Sequence, residues 1–89
     1  SWQHWLRLGT ILLALGNKDE ARLVMKEILR RKRQHEDVFL FQAQVYEAEG
    51  DGAKACGLYQ QVLKLNAKHK DALKAVKRLM RLAKTTTTK

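Results

Sequence analysis

The chain lacks the disulfides, signal peptide and membrane span that are typical of secreted or membrane proteins. Its 89 residues include a single cysteine, Cys56, so no intramolecular disulfide can form and nothing indicates an oxidising compartment. No run of about 18 apolar residues is present to cross a bilayer, and the N-terminal residues lack the basic and apolar regions of a signal peptide. We therefore expect an intracellular protein, cytoplasmic or nuclear, without a membrane span.

The motifs of common catalytic and cofactor sites are also missing. The sequence has no glycine-rich phosphate loop, no CxxC or HExxH motif and no nucleophile elbow. His4, His35 and His69 are far apart, and the last two are separated by 34 residues, which favours repeated loop ends over a shared site. We predict that the chain is not an enzyme and holds no metal or cofactor.

Proline is absent, glycine occurs five times, and acidic residues are half as frequent as basic ones. With so few residues that interrupt regular structure, most of the chain is expected to be ordered helix or strand. The positive charge is concentrated: residues 64–89 carry nine Lys/Arg and one acid, a net of +8, whereas residues 1–63 have a net of +1. A basic segment of this kind favours acidic or phosphate-bearing partners.

The chain repeats itself at a shift of 34 residues. Large side chains coincide with large ones and small with small, a pattern typical of stacked supersecondary units. The matched sets are Trp5/Phe39/Leu73, Leu12/Tyr46/Met80, Gly16/Gly50, Asn17/Asp51, Ala21/Ala55, Met25/Tyr59 and Ile28/Val62.

Within each unit the apolar spacing is helical, and a glycine with a polar neighbour divides it into two helices. We predict helices over residues 2–15, 19–32, 36–49, 53–65 and 70–83. Gly16 and Gly50 should supply the positive φ that ends a helix, and Asn17 or Asp51 should cap the next one. The fifth helix has an apolar stripe that is expected to cover the end of the stack, formed by Ala72, Leu73, Val76, Leu79, Met80 and Ala83.

This pattern resembles the tetratricopeptide repeat family, whose 34-residue units place large, small and aromatic residues at fixed positions. The residues that carry the resemblance are Trp5, Leu8-Gly9, Ala21, Met25 and Ile28 in unit one, and Phe39, Ala43, Tyr46, Ala55, Tyr59 and Val62 in unit two. The chain departs from the family at Arg33 and Ala67, where proline is usual, and at Gln42, where leucine is usual. A half-a-tetratricopeptide repeat is the nearest alternative, but it expects an acidic residue about four positions before the turn glycine, where this chain has Leu12 and Tyr46.

The resemblance implies an all-α fold, an α-solenoid of two hairpins plus a C-terminal capping helix. Its expected divisions are repeat one at 2–35, repeat two at 36–69, the capping helix at 70–84 and a disordered tail at 85–89. About three repeats are normally needed for stability. We therefore expect a segment of a longer protein, with further repeats of the same chain as partners and Trp2 packed on an upstream hairpin or between chains.

In this family the first helix of each hairpin lines a concave, peptide-binding surface. The resemblance therefore implies an adaptor or scaffold module, as in the family's co-chaperones, whose partner is a peptide or helix with an apolar anchor and an acidic end. The family's carboxylate clamp is only partly matched, because Leu6 and Thr10 replace its first pair. The predicted groove residues are Leu6, Thr10, Leu13, Leu40, Gln44, Glu47, Lys74, Arg78 and Arg81.

Two other interpretations of the basic residues remain open. In one, Lys74, Arg78 and Arg81 of the predicted fifth helix form a solvated face that pairs with Glu47 and Glu49. In the other, the chain is an RNA- or ribonucleoprotein-associated module, although its basic helix has no aromatic residue to stack on bases. The candidate phosphate contacts are Arg30, Arg31, Lys32, Arg33, Lys77 and Lys84.

Overall fold

The computed structural model describes residues 1–32 and 34–87, with side chains described as far as Leu82. Its elements are α1 (Trp2–Ala14), α2 (Lys18–Arg31), α3 (Glu36–Ala48), α4 (Gly52–Leu65) and α5 (Lys70–Thr87). Helices α1 and α2 form one hairpin, α3 and α4 form a second, and α5 packs against α4. This confirms the predicted fold class, an all-α solenoid of helical hairpins.

The two hairpin turns have the same geometry because each places a glycine in the left-handed region. Gly16 has φ 84° and Gly50 has φ 86°. In the first turn the Asn17 amide donates to the Leu12 carbonyl, and in the second the Asp51 amide donates to the Tyr46 carbonyl, each at 2.9 Å. These bonds satisfy carbonyls at the helix end, as in a Schellman motif. The predicted role of both glycines is confirmed.

The helix starts are capped differently from one repeat to the next. The Asp51 carboxylate accepts a hydrogen bond from the Lys54 amide at 3.1 Å, whereas Asn17 makes no side-chain cap bond. His35 Nδ1 accepts from the Asp37 amide at 3.1 Å, and His69 Nδ1 accepts from the Ala72 amide at 3.2 Å. The two histidines thus act at equivalent helix starts rather than in a shared site.

Two buried clusters form the core, one on each side of α3. The first lies between α1, α2 and α3, and the second between α3, α4 and α5; Tyr46 packs against both. Each cluster is small, as expected when a repeat must bury its apolar face on its neighbours. The first cluster contains Ala21, Val24, Met25, Ile28, Val38, Phe41 and Val45, and the second contains Ala43, Ala55, Tyr59, Val62, Ala72 and Ala75.

Helix α5 corrects two predictions. Its apolar stripe is covered only in part: Ala72 is buried and Val76 and Leu79 pack against the second core cluster, whereas Leu73 and Met80 are 38% and 56% exposed. Helix α5 packs mainly on α4 and reaches α3 through the pair between Arg78 and Glu47. The helix also continues to Thr87, so the predicted tail is helical at residues 85–87, because threonine lowers helix stability only slightly. Residues 88 and 89 lie outside the described residues.

Trp2 makes contacts within its own chain. Its ring contacts the His35 ring at a centroid distance of 4.8 Å, and its side chain packs against the first core cluster. The predicted contact with an upstream hairpin or a second chain stays a prediction. None of the helices described here is long and apolar enough to cross a membrane.

Candidate functional site

A groove of about 350 Å³ lies between α3 and α5, and we call it the α3–α5 groove. Leu40 and Gln44 are one helical turn apart on α3, and Lys74 and Arg78 have the same spacing on α5. Residues four apart project from one helix face, so each pair lines one wall. The complete lining is Leu40, Gln44, Tyr59, Asp71, Lys74, Ala75 and Arg78.

Glu47 ties the three helices around this groove together. One carboxylate oxygen accepts a hydrogen bond from the Tyr59 hydroxyl at 2.8 Å, and the other pairs with an Arg78 nitrogen at 2.7 Å. Burial, followed by the hydrogen bond to Glu47, raises the pKa of the Tyr59 hydroxyl, which stays a donor. The network fixes the Arg78 guanidinium at the groove wall while other N–H groups remain for a ligand.

Of the two cations that line this groove, Lys74 is the one without an ion pair to a described carboxylate. It is exposed, and among the described side chains no carboxylate forms an ion pair with it. Asp71 lies one turn earlier in the same lining, so the groove is positive at one end and mixed at the other. The partly buried Leu40 supplies an apolar surface beside both charges.

A second hollow of about 390 Å³ lies along α1 and reaches Asp37 of α3; we call it the α1–α3 hollow. It brings Leu6 and Thr10 together with the exposed Ile11. The Thr10 hydroxyl donates to the Leu6 carbonyl at 2.9 Å, so its proton is used within the helix. This hollow offers apolar contact at Leu6 and Ile11, and its charged lining residues, Arg7 and Asp37, are of opposite sign.

The predicted groove residues are thus divided between two surfaces and the core. Leu13 packs against the first core cluster, and Arg81 is exposed on α5 outside the residues that line either hollow. Sequence reasoning identified Tyr59 only as a residue matched between the repeats and missed its part in the groove. The signal was its hydroxyl, because a buried tyrosine needs a hydrogen-bond partner and Glu47 precedes it on the facing helix.

The predicted phosphate contacts are partly occupied. Arg30 and Arg31 pair with Glu27 at 3.2 and 2.5 Å, and the hydrogen bond from Arg31 lowers the pKa of Glu27. The Arg31 guanidinium also lies 5.6 Å from the Trp5 ring centroid. Lys32 and Lys77 are exposed. Arg33 and the Lys84 side chain lie outside the part of the chain that the structure describes.

The interpretation of α5 as a neutralising face is correct for one of its two acids. Glu47 pairs with Arg78, as expected, but Glu49 pairs with Arg22 of α2 at 2.6 Å. Glu49 follows the end of α3 and lies beside the first hairpin, so it bridges the two repeats instead. Over the described residues, no group of three or more His, Cys, Asp or Glu side chains is placed to hold a metal ion.

Stacked hairpins with left-handed glycine turns, buried alanines between helices and a groove along the first helices define the class of helical-repeat proteins. Two tetratricopeptide repeat models match the sequence, one over residues 4–35 and one over residues 37–69. The chain belongs to the tetratricopeptide repeat family, as the sequence predicted. No curated protein matches it. Tetratricopeptide domains bind protein partners, and the repeat is a fold of protein interaction rather than of catalysis.

Proposed function

We propose that the chain is an adaptor whose α3–α5 groove binds a short segment of a protein partner, either an extended peptide or one face of a helix, that carries an apolar side chain beside an acidic one. The observation that supports this is the juxtaposition of partly buried Leu40 with two cations, Lys74 and Arg78, in one lining. An apolar wall gives affinity by burial, and the cations select the charge of the ligand.

The groups in the groove suggest how such a segment is oriented. Its apolar side chain packs on Leu40, and its carboxylate meets Lys74, whose charge has no other anionic partner among the described residues. Gln44 provides a donor and an acceptor for the backbone of the ligand. Asp71 lies one turn before Lys74 and repels a carboxylate. The acidic group therefore lies on the side of Lys74 that faces Arg78.

The α1–α3 hollow extends this surface towards a less charged end. A longer partner would place an apolar residue on Leu6 and Ile11 after its acidic residue has met Lys74. Binding to two separated hollows on one rigid scaffold favours a partner that is extended or helical over several turns.

Nucleic-acid binding is the alternative function that the test must distinguish from peptide binding. Its weakness lies in Arg30 and Arg31, because both already pair with Glu27 and would have to give up that carboxylate to meet a phosphate. Phosphate binding would show a steep loss of affinity with salt and little dependence on sequence. Peptide binding in a partly apolar groove should depend on the sequence of the ligand.

The experiment is a selection of displayed random peptides on the immobilised chain, followed by affinity measurements on the enriched peptides. We expect enrichment of an acidic residue next to an apolar one. The double variant Lys74→Glu/Arg78→Glu should weaken these peptides about tenfold or more, because each attraction becomes a repulsion of about 1 kcal/mol or more even in water.

The matched control is Lys64→Glu/Lys68→Glu, which changes the net charge equally at exposed positions outside the groove. Circular dichroism of all three proteins establishes that helicity is unchanged. Equal weakening by the control would show a general charge effect, and unchanged binding by the Lys74/Arg78 variant would contradict the proposal. Capture of nucleic acid in place of peptides would support the alternative.

A further inference from the structure

A third hollow, of about 390 Å³, opens on the opposite side of α3 from the α3–α5 groove, and we call it the α3–α4 hollow. Its α3 residues are Gln42 and Tyr46, each two positions after a residue of the groove lining. Two positions correspond to about 200° around a helix, so the two surfaces face away from each other. The lining is Gln42, Tyr46, Lys54, Gly57, Leu58 and Gln61.

Gln42 lines this hollow and carries an unsatisfied polar atom. Its Oε1 is buried, and no described residue donates a hydrogen bond to it. Buried polar atoms without a partner are rare in folded proteins because each has lost its hydrogen bonds to water. In repeat one the same register holds Leu8, so the fold itself accepts leucine at this position.

Gly57 is a second lining residue of this hollow whose identity the fold does not demand. It lies within α4, its φ is not in the left-handed region, and an added Cβ would meet no atom within 4 Å. A glycine inside a helix lowers helix stability relative to alanine. Repeat one has Leu23 at the equivalent register, so repeat two has an amide and a glycine where repeat one has two leucines. A bare backbone at this point permits the close approach of another chain.

The charge at the rim is positive. The Lys54 ammonium lies 5.3 Å from the Tyr46 ring centroid, and no ion pair joins it to a carboxylate in the described structure. Arg22 covers the same ring at 5.5 Å, but its guanidinium is paired with Glu49. Lys54 is therefore the cation available to a ligand in this hollow.

From these groups we infer that the α3–α4 hollow is a second docking site, which takes a protein segment carrying an Asn or Gln side chain next to an acidic residue. A primary amide is the complement of Gln42: when the Gln42 side chain turns its Oε1 into the hollow, the amide donates to that oxygen and accepts from the Gln42 Nε2 in return. The acidic neighbour meets Lys54, and the backbone of the segment passes over Gly57. With sites on both sides of α3, the module would join two partners.

The test starts from the Lys74→Glu/Arg78→Glu chain, in which the α3–α5 groove is disabled, so its result does not depend on the proposed function. Displayed random peptides are selected on this protein, and their affinities are measured with and without a further substitution. We expect enriched peptides to contain an amide residue beside an acid. Gln42→Leu should weaken them about tenfold, the effect of losing a buried hydrogen-bond partner.

Gly57→Leu should weaken the same peptides by filling the hollow, and both leucines match the residues of repeat one. Gln60→Leu, an equivalent exchange at an exposed α4 position outside the hollow, should leave affinity unchanged. Thermal unfolding verifies that all variants are folded. Failure to enrich any peptide, or enriched peptides that bind Gln42→Leu and Gly57→Leu as tightly as the parent, would overturn the inference.

Discussion

Two glycines within helices should respond to the same substitution with opposite signs. At Gly9 in α1, an added Cβ would lie 2.8 and 2.9 Å from the two Cε atoms of the Phe41 ring and closer still to its Cζ. Phe41 is only 2% exposed, so the ring cannot move into solvent. Overpacking of this kind costs about 1–3 kcal/mol, and the helix preference of alanine returns about 0.5–1 kcal/mol. Gly9→Ala should therefore lower the free energy of unfolding by about 1 kcal/mol, and by no more than about 2.5 kcal/mol.

At Gly57 the added methyl meets open space, so only the helix preference applies. Gly57→Ala should raise the free energy of unfolding by about 0.5–1 kcal/mol. Urea unfolding followed by circular dichroism measures both changes, and about 4–8 °C in Tm corresponds to each kcal/mol in a domain of this size.

A double substitution identifies the cause of the loss at Gly9. Phe41→Leu shortens the side chain that an added Cβ would meet. Gly9→Ala should therefore be less destabilising in the Phe41→Leu background than in the wild type, with a favourable coupling energy. The explanation would be refuted if Gly9→Ala stabilises the chain as Gly57→Ala does, or if Gly9→Ala and Phe41→Leu show no coupling. The close approach of α1 to Phe41 would then not be the reason for glycine at position 9.

The remaining predictions concern caps and the Tyr59 hydroxyl. Asp51→Ala should lower the free energy of unfolding by about 1 kcal/mol, whereas Asn17→Ala should change it by about a few tenths at most, since of these two residues only Asp51 makes a side-chain cap bond. Urea unfolding measures both changes. Equal losses would contradict the assignment of the cap to Asp51. The pKa of Tyr59 is raised from 10.0, so the folded state favours the protonated phenol. The stability that this preference contributes is complete below about pH 10 and should be lost as pH rises further. Tyr59→Phe should remove this part of the stability loss at alkaline pH, which is measured as the free energy of unfolding against pH. An unchanged pH dependence would exclude Tyr59 as its source.

The repeat fold was predictable because its constraints are local. A glycine between two apolar periodicities requires a positive φ, and the observed values at Gly16 and Gly50 agree. Small residues such as Ala21 and Ala55 mark where helices approach closely, and both are fully buried. A period that repeats these features predicts the stacking of hairpins without any knowledge of long-range contacts.

The candidate site was less predictable because it depends on which side chains reach one another. Helical register identified Leu40, Gln44, Lys74 and Arg78, which do line one groove. Register alone does not show that Glu47 is committed to Arg78 and to a tyrosine on another helix.

The α3–α4 hollow was missed for a related reason. The sequence marks Gln42 only as a departure from the family pattern, in which leucine is usual. Its unsatisfied Oε1 became apparent only when the packing around it was known.

The adaptor role of the α3–α5 groove is tested most directly by mapping where a selected acidic peptide binds, using amide chemical shifts of the isotopically labelled chain. The proposal predicts that resonances of Leu40, Gln44 and Lys74 shift and saturate together with the measured affinity, and that these shifts disappear in the Lys74→Glu/Arg78→Glu variant. Saturable shifts confined to other surfaces, or shifts at the groove that the charge-reversed variant retains, would contradict it.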